Sequence, residues 1–227
     1  MDGPGKLNHL DYNKPMKQDA GFNIIKPQPL MIVISGPSGA GKDSVIRRMK
    51  KRGLPFHFVI TATSRTPRGD EIHGRDYLFV SRSRFEQMIR KDELLEHAIV
   101  YNEYKGIPKL QVRRALASGK DVVLRVDVQG AATIRKIEPQ AVLIFLTTKN
   151  KKELVGRLNK RRSETSESMA TRMKKVHAEL KCAGYFDYVV VNENGKLNKT
   201  VEAIISIIET EHRRVHPRRL NLITLKR

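Results

Sequence analysis

The chain has 227 residues, a formal net charge of +20 and one cysteine, Cys182. This length suits a single domain with a sizeable core. One cysteine excludes an internal disulfide and indicates a reducing compartment. The longest strongly apolar run, Ala141 to Leu146, is far too short to cross a bilayer.

Residues 1–29 are predicted to be a poorly ordered leader that closes at Pro27-Gln28-Pro29. The segment contains Asp2, Asp11 and Asp19 and has no amphipathic Arg/Ser pattern. We therefore expect neither a signal peptide nor an intact transit peptide here. A transit peptide already removed from the numbered chain stays an open alternative.

A glycine-rich segment lies between an apolar run that starts near Leu30 and the helical pattern of Asp43 to Arg52. Glycines let successive backbone N–H groups converge on one anion, and the positive end of the following helix adds to that attraction. The lysine would reach the outer phosphates of a nucleoside triphosphate. The alternative is a plain turn with a surface lysine. The predicted phosphate-binding loop, or P-loop, consists of Gly36, Pro37, Ser38, Gly39, Ala40, Gly41 and Lys42.

The residue after this lysine departs from the usual P-loop pattern. Asp43 stands where a hydroxyl normally ligates Mg²⁺, and Ser44 follows one residue late. Each helical residue turns the side chain by about 100°, so Ser44 cannot simply substitute, although it remains a predicted ATP-binding residue. Asp43 could ligate Mg²⁺ or hold one of its waters. Alternatively, Asp43 only stabilises the start of the helix.

Strands and helices are predicted to alternate along the rest of the chain. The further strands are Phe56 to Thr61, Tyr77 to Val80, Val122 to Val126, Ala141 to Thr147 and Phe186 to Val191. The further helices lie around Phe85 to Ile89, Gly130 to Ile137, Lys151 to Arg161, Ser166 to Lys181 and Leu197 to Arg213. Continuous β-branched runs suit buried parallel strands. The alternation therefore predicts an α/β fold whose ligands lie at the carboxyl ends of the strands.

Five segments in this order and spacing together resemble the guanylate kinase family. They extend from Met31 to Ile208, roughly four-fifths of the chain. The P-loop alone would indicate only a nucleotide-binding protein, whereas T-S-R-T-P-R and D-V-Q-G-A are far more specific. The five segments are Gly36–Lys42, Thr63–Arg68, Gly74–Tyr77, Val126–Ala131 and Asp187–Asn192.

The resemblance implies a P-loop three-layer fold with a parallel-sheet core, a GMP-binding insert and a lid. It also implies transfer of the γ-phosphoryl group of ATP to GMP or dGMP with Mg²⁺. The domain would cover 30–215, and we expect the basic tail at 216–227 to be solvated. Its parts would be a core at 30–60, 110–156 and 173–213, an insert at 61–109 and a lid at 157–172.

The resemblance implies which residues bind the GMP phosphate. Arg65 and Arg68 would grip it, because a planar guanidinium suits bidentate phosphate capture, and Tyr77 would donate its hydroxyl. Thr61 matches a small hydroxyl residue near that phosphate. Lys105 stands where the family has a tyrosine, and its ammonium can serve there as a point charge. The alternative for the arginines is a solvated pair on a loop.

The resemblance assigns the guanine base to Glu96 and Asp127. Guanine presents two adjacent donors, N1–H and the 2-amino group, which carboxylates accept and which adenine lacks. Glu96 could instead be a surface acid, and Asp127 a helix N-cap before Gln129.

The lid and the adenine site are implied in the same way. Arg157, Arg161 and Arg172 would spread positive charge over the transferring phosphoryl group, unless they only face solvent. Asn192 resembles the family's adenine-contacting residue, with a turn asparagine as the alternative.

Three further departures from the family pattern stand near these residues. Ile107 replaces a hydroxyl that bonds the guanine, Arg125 replaces an acid, and Asp43 replaces the magnesium hydroxyl. Together with Lys105, they resemble the plant organellar branch of the family. That likeness favours a plastid or a mitochondrion over the cytoplasm.

An active kinase is the interpretation we favour, with ATP and GMP or dGMP as partners and no membrane or specific nucleic acid. A monomer or weak homodimer is expected. The main alternative is a catalytically inactive guanylate-kinase-like binding module, which the intact P-loop and the arginines at 157, 161 and 172 argue against. A nucleic-acid-binding protein would show binding that falls steeply with salt, and a kinase for AMP or UMP is a further alternative.

Overall fold

The computed structural model describes residues 28–100, 102–159 and 166–221, with only the helix backbone for 166–172. The strands are β1 (Met31–Ser35), β2 (His57–Phe58), β3 (Ala62–Thr63), β4 (Leu78–Phe79), β5 (Leu94–Val100), β6 (Glu103–Pro108), β7 (Val122–Arg125), β8 (Val142–Thr147) and β9 (Tyr188–Val191). The α-helices are α1 (Lys42–Lys51), α2 (Arg82–Arg90), α3 (Lys109–Ala117), α4 (Val128–Ile137), α5 (Lys151–Asn159), α6 (Ser166–Lys181) and α7 (Leu197–His212).

Five strands form a parallel sheet in the order β2-β7-β1-β8-β9. Every residue of β1 is buried, as continuous apolar runs require when both faces of a sheet are covered. One face packs on α1 and α7, with Ile32 and Ile204 in that cluster, and the other packs on α3 and α4 around Val33 and Ile134. The predicted parallel α/β core is therefore confirmed.

Four further strands form a second sheet in the order β4-β3-β6-β5, built from residues within 62–108. It holds its own small core of Ala62, Phe85, Met88 and Leu94. The predicted strand from Phe56 to Thr61 is wrong in extent, because β2 ends at Phe58 and the chain then crosses to this sheet. The hairpin of β5 and β6 and the helix α3 were not predicted.

The C-terminal segment differs from the expected solvated tail. Leu220 is buried against the core beside α3 and α4, and Arg218 Nε donates to the buried carboxylate of Glu211 at 2.8 Å. The expectation is therefore wrong for these two residues. The leader up to residue 27 and the tail from residue 222 lie outside the described residues. Among the described helices, none combines the length and apolarity that a membrane span needs.

Candidate active site at the carboxyl end of the parallel sheet

The P-loop connects β1 to α1 through glycines in the left-handed region. Gly36, Gly39 and Gly41 have φ of 135°, 86° and 93°. A Cβ on Gly36 would lie 2.0 Å from the Leu146 carbonyl oxygen, and one on Gly41 would lie 2.3 Å from Asn192 Nδ2. Glycine is therefore required at both positions by backbone conformation and by space. The predicted loop is formed at the carboxyl end of a central strand.

Lys42 is the first residue of α1, and its side chain folds back over the loop. Its Nζ donates to the carbonyl oxygens of Gly36 at 2.5 Å and Pro37 at 3.1 Å. The ammonium thus lies across the mouth of the loop. An ammonium there can meet the outer phosphates of a bound nucleotide.

Arg157 lies on the outer side of the loop. It donates to the carbonyl oxygens of Asn192 at 2.6 Å and Ala40 at 3.1 Å, and to Asn194 Oδ1 at 2.9 Å. These contacts tie the P-loop to the segment after β9 and differ from the lid role that the resemblance implies. Arg161 lies outside the described residues, and the described part of Arg172 is its helix backbone.

Asn192 is buried and fixed on both ends of its amide. Its Nδ2 donates to the Ala40 carbonyl oxygen at 2.8 Å, and its Oδ1 accepts from Thr200 Oγ1 at 3.2 Å. The residue therefore positions the P-loop in addition to standing where the resemblance implies an adenine contact.

Glu179 is a residue of this site that the sequence did not reveal. Its Oε2 accepts from the Ser38 backbone N–H at 3.2 Å, and its side chain is buried. Burial raises the pKa of Glu179, although the nearby Lys42 ammonium and the bond from Ser38 oppose that rise. A carboxylate oxygen thus already bonds one N–H of the P-loop. The bond joins residues 141 positions apart, so no local signal could have found it.

A single cavity extends from the P-loop towards the second sheet and contains most of the predicted site residues. Predicted residues missing from its lining include Arg65, Arg68, Ser44 and Asn192, of which Arg68 and Ser44 are exposed. The cavity is lined by Gly36, Ser38, Gly39, Gly41, Lys42, Asp43, Thr61, Tyr77, Glu96, Ala98, Val100, Lys105, Arg125, Val126, Asp127 and Glu179.

Among the described residues, Glu96 and Asp127 are two of the four acidic side chains that line the cavity. Glu96 is 5% exposed, and burial, reinforced by the charge of Asp127, raises the pKa of Glu96 to about 8. Asp127 caps α4, because its Oδ1 accepts from the Gly130 N–H at 2.9 Å. Its Oδ2 is buried and has no hydrogen-bond partner within the part of the chain that the structure describes. Asp127 therefore caps the helix through Oδ1, and its Oδ2 is available as a hydrogen-bond acceptor. Glu96 is buried, so the alternative that it is a surface acid is wrong.

Glu71 binds the loop that carries the two arginines predicted to grip the GMP phosphate. Arg65 forms a two-armed bond with Glu71, at 2.7 and 2.8 Å, and its guanidinium lies 4.7 Å from the centre of the Tyr77 ring. The bond of Glu71 to the Arg68 backbone N–H, at 2.9 Å, fixes the same loop. The structure therefore brings Arg65 next to Tyr77 without bringing its charged group into the cavity.

Lys105 supplies a positive charge to this part of the cavity. Burial and the neighbouring charges of Lys42, Arg65 and Arg125 lower the pKa of Lys105 to about 8, against a smaller opposing effect of Asp43. Thr61 is buried nearby, and its hydroxyl donates to the Arg125 carbonyl oxygen at 3.1 Å. Ile107 is fully buried and packs with the core beside α3 and α4, so it does not line the cavity.

Asp43 and Tyr77 are joined to Arg125. The Asp43 Oδ1 atom accepts from Arg125 Nη1 at 2.6 Å and from the Tyr77 hydroxyl at 3.2 Å. From the sequence, Asp43 is predicted either to ligate Mg²⁺ or to stabilise the start of the helix, and no role is predicted for Arg125. The two residues lie 82 positions apart, and only the fold brings them together.

These features define a class of protein. A P-loop at the carboxyl end of a parallel sheet, opening into a cavity that reaches a second sheet and is lined by acids and by Lys105, fits a nucleoside monophosphate kinase. A family model described as guanylate kinase matches residues 28–211. The chain belongs to the guanylate kinase family.

Individual relatives agree with the family model. The chain is 50% identical over 197 residues to guanylate kinase 2, chloroplastic/mitochondrial, of Oryza sativa subsp. japonica, covering 86% of this chain and 69% of the rice protein. It is 41% identical over 186 residues to the guanylate kinase of Clostridium tetani, covering 82% and 88%. The crystal structure of guanylate kinase from Anaplasma phagocytophilum superposes with a TM-score of 0.68 at 24% identity, covering 84% of this chain and 90% of that one. That structural likeness supports the fold, and the sequence relatives give no support to an inactive binding module.

Proposed function

We propose that this kinase uses the cavity described above to transfer the γ-phosphoryl group of ATP to GMP and dGMP. The observation that carries the proposal is the pair of carboxyl groups in the same cavity as the P-loop lysine, those of the buried Glu96 and of Asp127, whose Oδ2 atom is buried. A buried acid without a strong partner is costly in an empty site. A ligand that supplies hydrogen-bond donors offsets that cost.

Guanine matches this pair of acids. Its N1–H and 2-amino groups are adjacent donors, so Glu96 and the free Oδ2 of Asp127 can accept from both. Adenine places an acceptor at N1, which would face a carboxylate and repel it. We assign Glu96 and Asp127 to base recognition on this ground.

The other residues of the cavity suit the phosphates. In the transfer, the bond between the γ-phosphorus and the β,γ-bridging oxygen breaks, and a GMP phosphate oxygen forms the new bond. Negative charge on the reacting phosphates is balanced by positive side chains, which is how proteins mainly accelerate this reaction. Lys42 would serve the ATP phosphates, and Lys105 and Tyr77 the GMP phosphate. The Arg65 guanidinium would reach that phosphate only after leaving Glu71, and Arg68 is an exposed neighbour whose backbone N–H the same carboxylate holds.

The lid assignments remain part of the proposal. Arg161 and Arg172 are assigned to the transferring phosphoryl group by resemblance. The contacts of Arg157 with Ala40 and Asn192 support a different task for it, which is to hold the P-loop against the adenine side of the site.

Mg²⁺ would enter this site with ATP. The described residues contain no group of three or more His, Cys, Asp or Glu side chains placed to hold a metal. Mg²⁺ usually keeps its waters and is held mainly by substrate phosphates with one or two carboxylates. When bound, the ion supplies charge neutralisation and alignment of the phosphates. Asp43 is the carboxylate next to Lys42, and its Oδ1 is already bonded to Arg125.

A coupled assay that compares GMP, dGMP, AMP, CMP and UMP as acceptors tests the proposed function. We expect turnover with GMP and dGMP and at least about 100-fold lower kcat/KM with AMP, because the site's acids reject a base that lacks the donors. Preference for any other acceptor would refute the assignment of the two acids. ATP binding by calorimetry without turnover of any acceptor would instead support the inactive module.

The organellar name of the rice relative supports a location in a plastid or mitochondrion for this chain as well. A fluorescent fusion of the complete reading frame, imaged with plastid and mitochondrial markers, tests it, and a diffuse cytoplasmic signal would refute it. We further propose that the protein acts as a monomer or weak homodimer, which light scattering across a concentration series measures.

A further inference from the structure

Arg125 is largely buried at the junction between the P-loop core and the second sheet. It is the last residue of β7, and its side chain is 11% exposed. Its Nη1 donates to Asp43 Oδ1 at 2.6 Å, and its Nη2 donates to the Asp76 carbonyl oxygen at 2.8 Å. Its guanidinium also lies 4.0 Å from the centre of the Tyr77 ring. One side chain thus contacts the start of α1 and the segment that leads into β4.

These contacts fix Tyr77 from two sides. The hydroxyl of Tyr77 donates to the same Asp43 oxygen that Arg125 binds, while its ring lies against the Arg125 guanidinium. Stacking of a cation on a buried aromatic ring and a charged hydrogen bond at its far end together restrict the ring to one orientation. Tyr77 lines the cavity beside Lys105.

The charges of Arg125 and Asp43 also balance each other. Asp43 follows Lys42 directly, so an isolated carboxylate there would repel the phosphates of a bound nucleotide. The short bond to the guanidinium offsets that charge in a partly buried site, where charges are weakly screened. Asp43 Oδ1 already accepts two hydrogen bonds, and the guanidinium offsets the charge that would draw a cation to the remaining oxygen, so Asp43 is a poor candidate for direct metal ligation.

We propose that Arg125 is a positioning residue, which holds Tyr77 towards the acceptor phosphate and neutralises Asp43 beside the donor phosphates. Asp43 is then one half of a fixed ion pair and not a direct magnesium ligand. The part concerning the acceptor phosphate rests on the proposed function. The part concerning Asp43 does not.

A double-mutant cycle with Arg125→Met, Asp43→Asn and the double variant tests the ion pair. The readout is ATP binding by calorimetry in chelator, which needs no turnover. Arg125→Met should weaken binding roughly fivefold or more, because it removes the positive charge that offsets Asp43, and adding Asp43→Asn should restore most of the loss. Asp43→Asn alone should bind ATP at least as tightly as the wild type. If the fold-changes in the dissociation constant for ATP from the two single substitutions simply multiply in the double variant, the two residues act independently and the proposed pair is wrong.

The same variants test whether Asp43 ligates Mg²⁺ directly. The free Mg²⁺ concentration for half-maximal activity should be unchanged in Asp43→Asn within about twofold, since the carboxylate is not a direct ligand. A rise of tenfold or more, with ATP binding in chelator unaltered, would show that Asp43 ligates the ion and would overturn the proposal.

Measurements of KM for GMP and of kcat test whether Arg125 positions Tyr77. Arg125→Met should raise KM for GMP about tenfold, and Arg125→Lys should recover only part of it, because an ammonium cannot reproduce the fork and the stacking. Arg135→Met is the matched control. That arginine also binds a carboxylate and backbone carbonyls, those of Asp187, Pro139 and Ala141, but lies outside the cavity.

Thermal denaturation of all variants separates positioning from folding. If Arg125→Met and Arg135→Met lose similar stability and leave KM for GMP equally unchanged, Arg125 is structural only and the proposal fails. If wild-type protein itself does not use GMP, the proposed function fails, while the chelator cycle still decides whether Arg125 and Asp43 act as a pair.

Discussion

Glu96 and Asp127 lie in one cavity wall, and the negative charge of Asp127 adds to burial in raising the pKa of Glu96 to about 8. At neutral pH the empty site therefore holds a protonated Glu96. In the proposed role Glu96 accepts from guanine, so GMP binding would favour the ionised form. Base recognition by Glu96 would then be coupled to the release of a proton.

The first prediction concerns stability against pH. Between pH 4.5, the ordinary value for Glu, and about pH 8, folded protein holds a proton on Glu96 that unfolded protein has lost. The free energy of unfolding should therefore fall as pH rises through this window, by about 1.4 kcal/mol per unit of pKa difference at most. Glu96→Gln should flatten this slope in urea titrations, whereas the control Glu86→Gln, at a partly exposed position of α2, should not. Equal slopes in all three proteins would contradict the raised pKa.

The second prediction concerns the base. Glu96→Gln and Asp127→Asn, made separately, should each raise KM for GMP about 10- to 150-fold, because replacing a charged hydrogen bond by a mispaired amide costs roughly 1.5–3 kcal/mol. KM for ATP should change little. Steady-state kinetics with GMP and AMP measure both. Unchanged GMP kinetics together with no relative gain for AMP would show that these acids do not read guanine.

The third prediction uses a glycine behind Glu96. A Cβ on Gly130 would lie 2.6 Å from Glu96 Oε2 and 3.0 Å from its Cδ, so Gly130→Ala must displace the carboxyl group. We expect KM for GMP to rise roughly tenfold, comparable to loss of one charged hydrogen bond, with ATP binding intact. Gly156→Ala is the control, since it lies in α5 with nothing within 4 Å of the added Cβ. Equal GMP kinetics in the two variants would contradict the expected displacement.

The fourth prediction concerns the P-loop lysine. Lys42→Ala should lower kcat by at least about 10³, a reasonable scale for loss of a principal charge stabiliser. Circular dichroism should be unchanged, because the lysine bonds carbonyls of its own surface loop and contributes little to core packing. Lys51→Ala, at the exposed end of the same helix, should keep full activity. A variant at position 42 that retained a tenth of the activity would refute the proposed loop function.

The fifth prediction concerns the contact between Ser38 and Glu179. ATP brings negative charge to a loop that already bonds a buried carboxyl group, so Glu179→Gln should tighten ATP binding about three- to tenfold at pH 8. The gain should shrink towards acid pH, because the raised pKa of Glu179 lets the wild-type carboxyl become neutral there. Calorimetry at several pH values measures it, with Glu209→Gln on the exposed face of α7 as control. Weaker binding in the variant would mean that Glu179 supports the loop with ATP bound.

Much of the fold could be predicted because its signals are local. The apolar run of β1, the three P-loop glycines and the start of α1 are neighbours in sequence, and the backbone conformation of the turn can be adopted only with glycine at Gly36 and Gly41. The buried strands β7 and β8 were likewise predictable from continuous β-branched runs. The hairpin of β5 and β6 was missed because its half-buried pattern is irregular.

The candidate site was predictable as a set of residue types and not as a set of contacts. Sequence and resemblance named Glu96, Asp127 and Lys105, and the fold brings all three into one cavity. The sequence did not predict that Arg65 would be held by Glu71, which lies six residues further on in an irregular loop. Side-chain choice among several nearby partners depends on geometry that a loop sequence does not specify.

By itself, the sequence determined the P-loop, the parallel core and the chemistry available for two nucleotides, because these follow from local backbone requirements and from residue type. Only the tertiary structure decided that Arg125 neutralises Asp43, 82 residues away, and that Glu179 bonds Ser38 across 141 residues. Such pairs form where strands and helices distant in the chain end at the same edge of a sheet. No local propensity encodes that meeting, since each partner alone would be equally compatible with water.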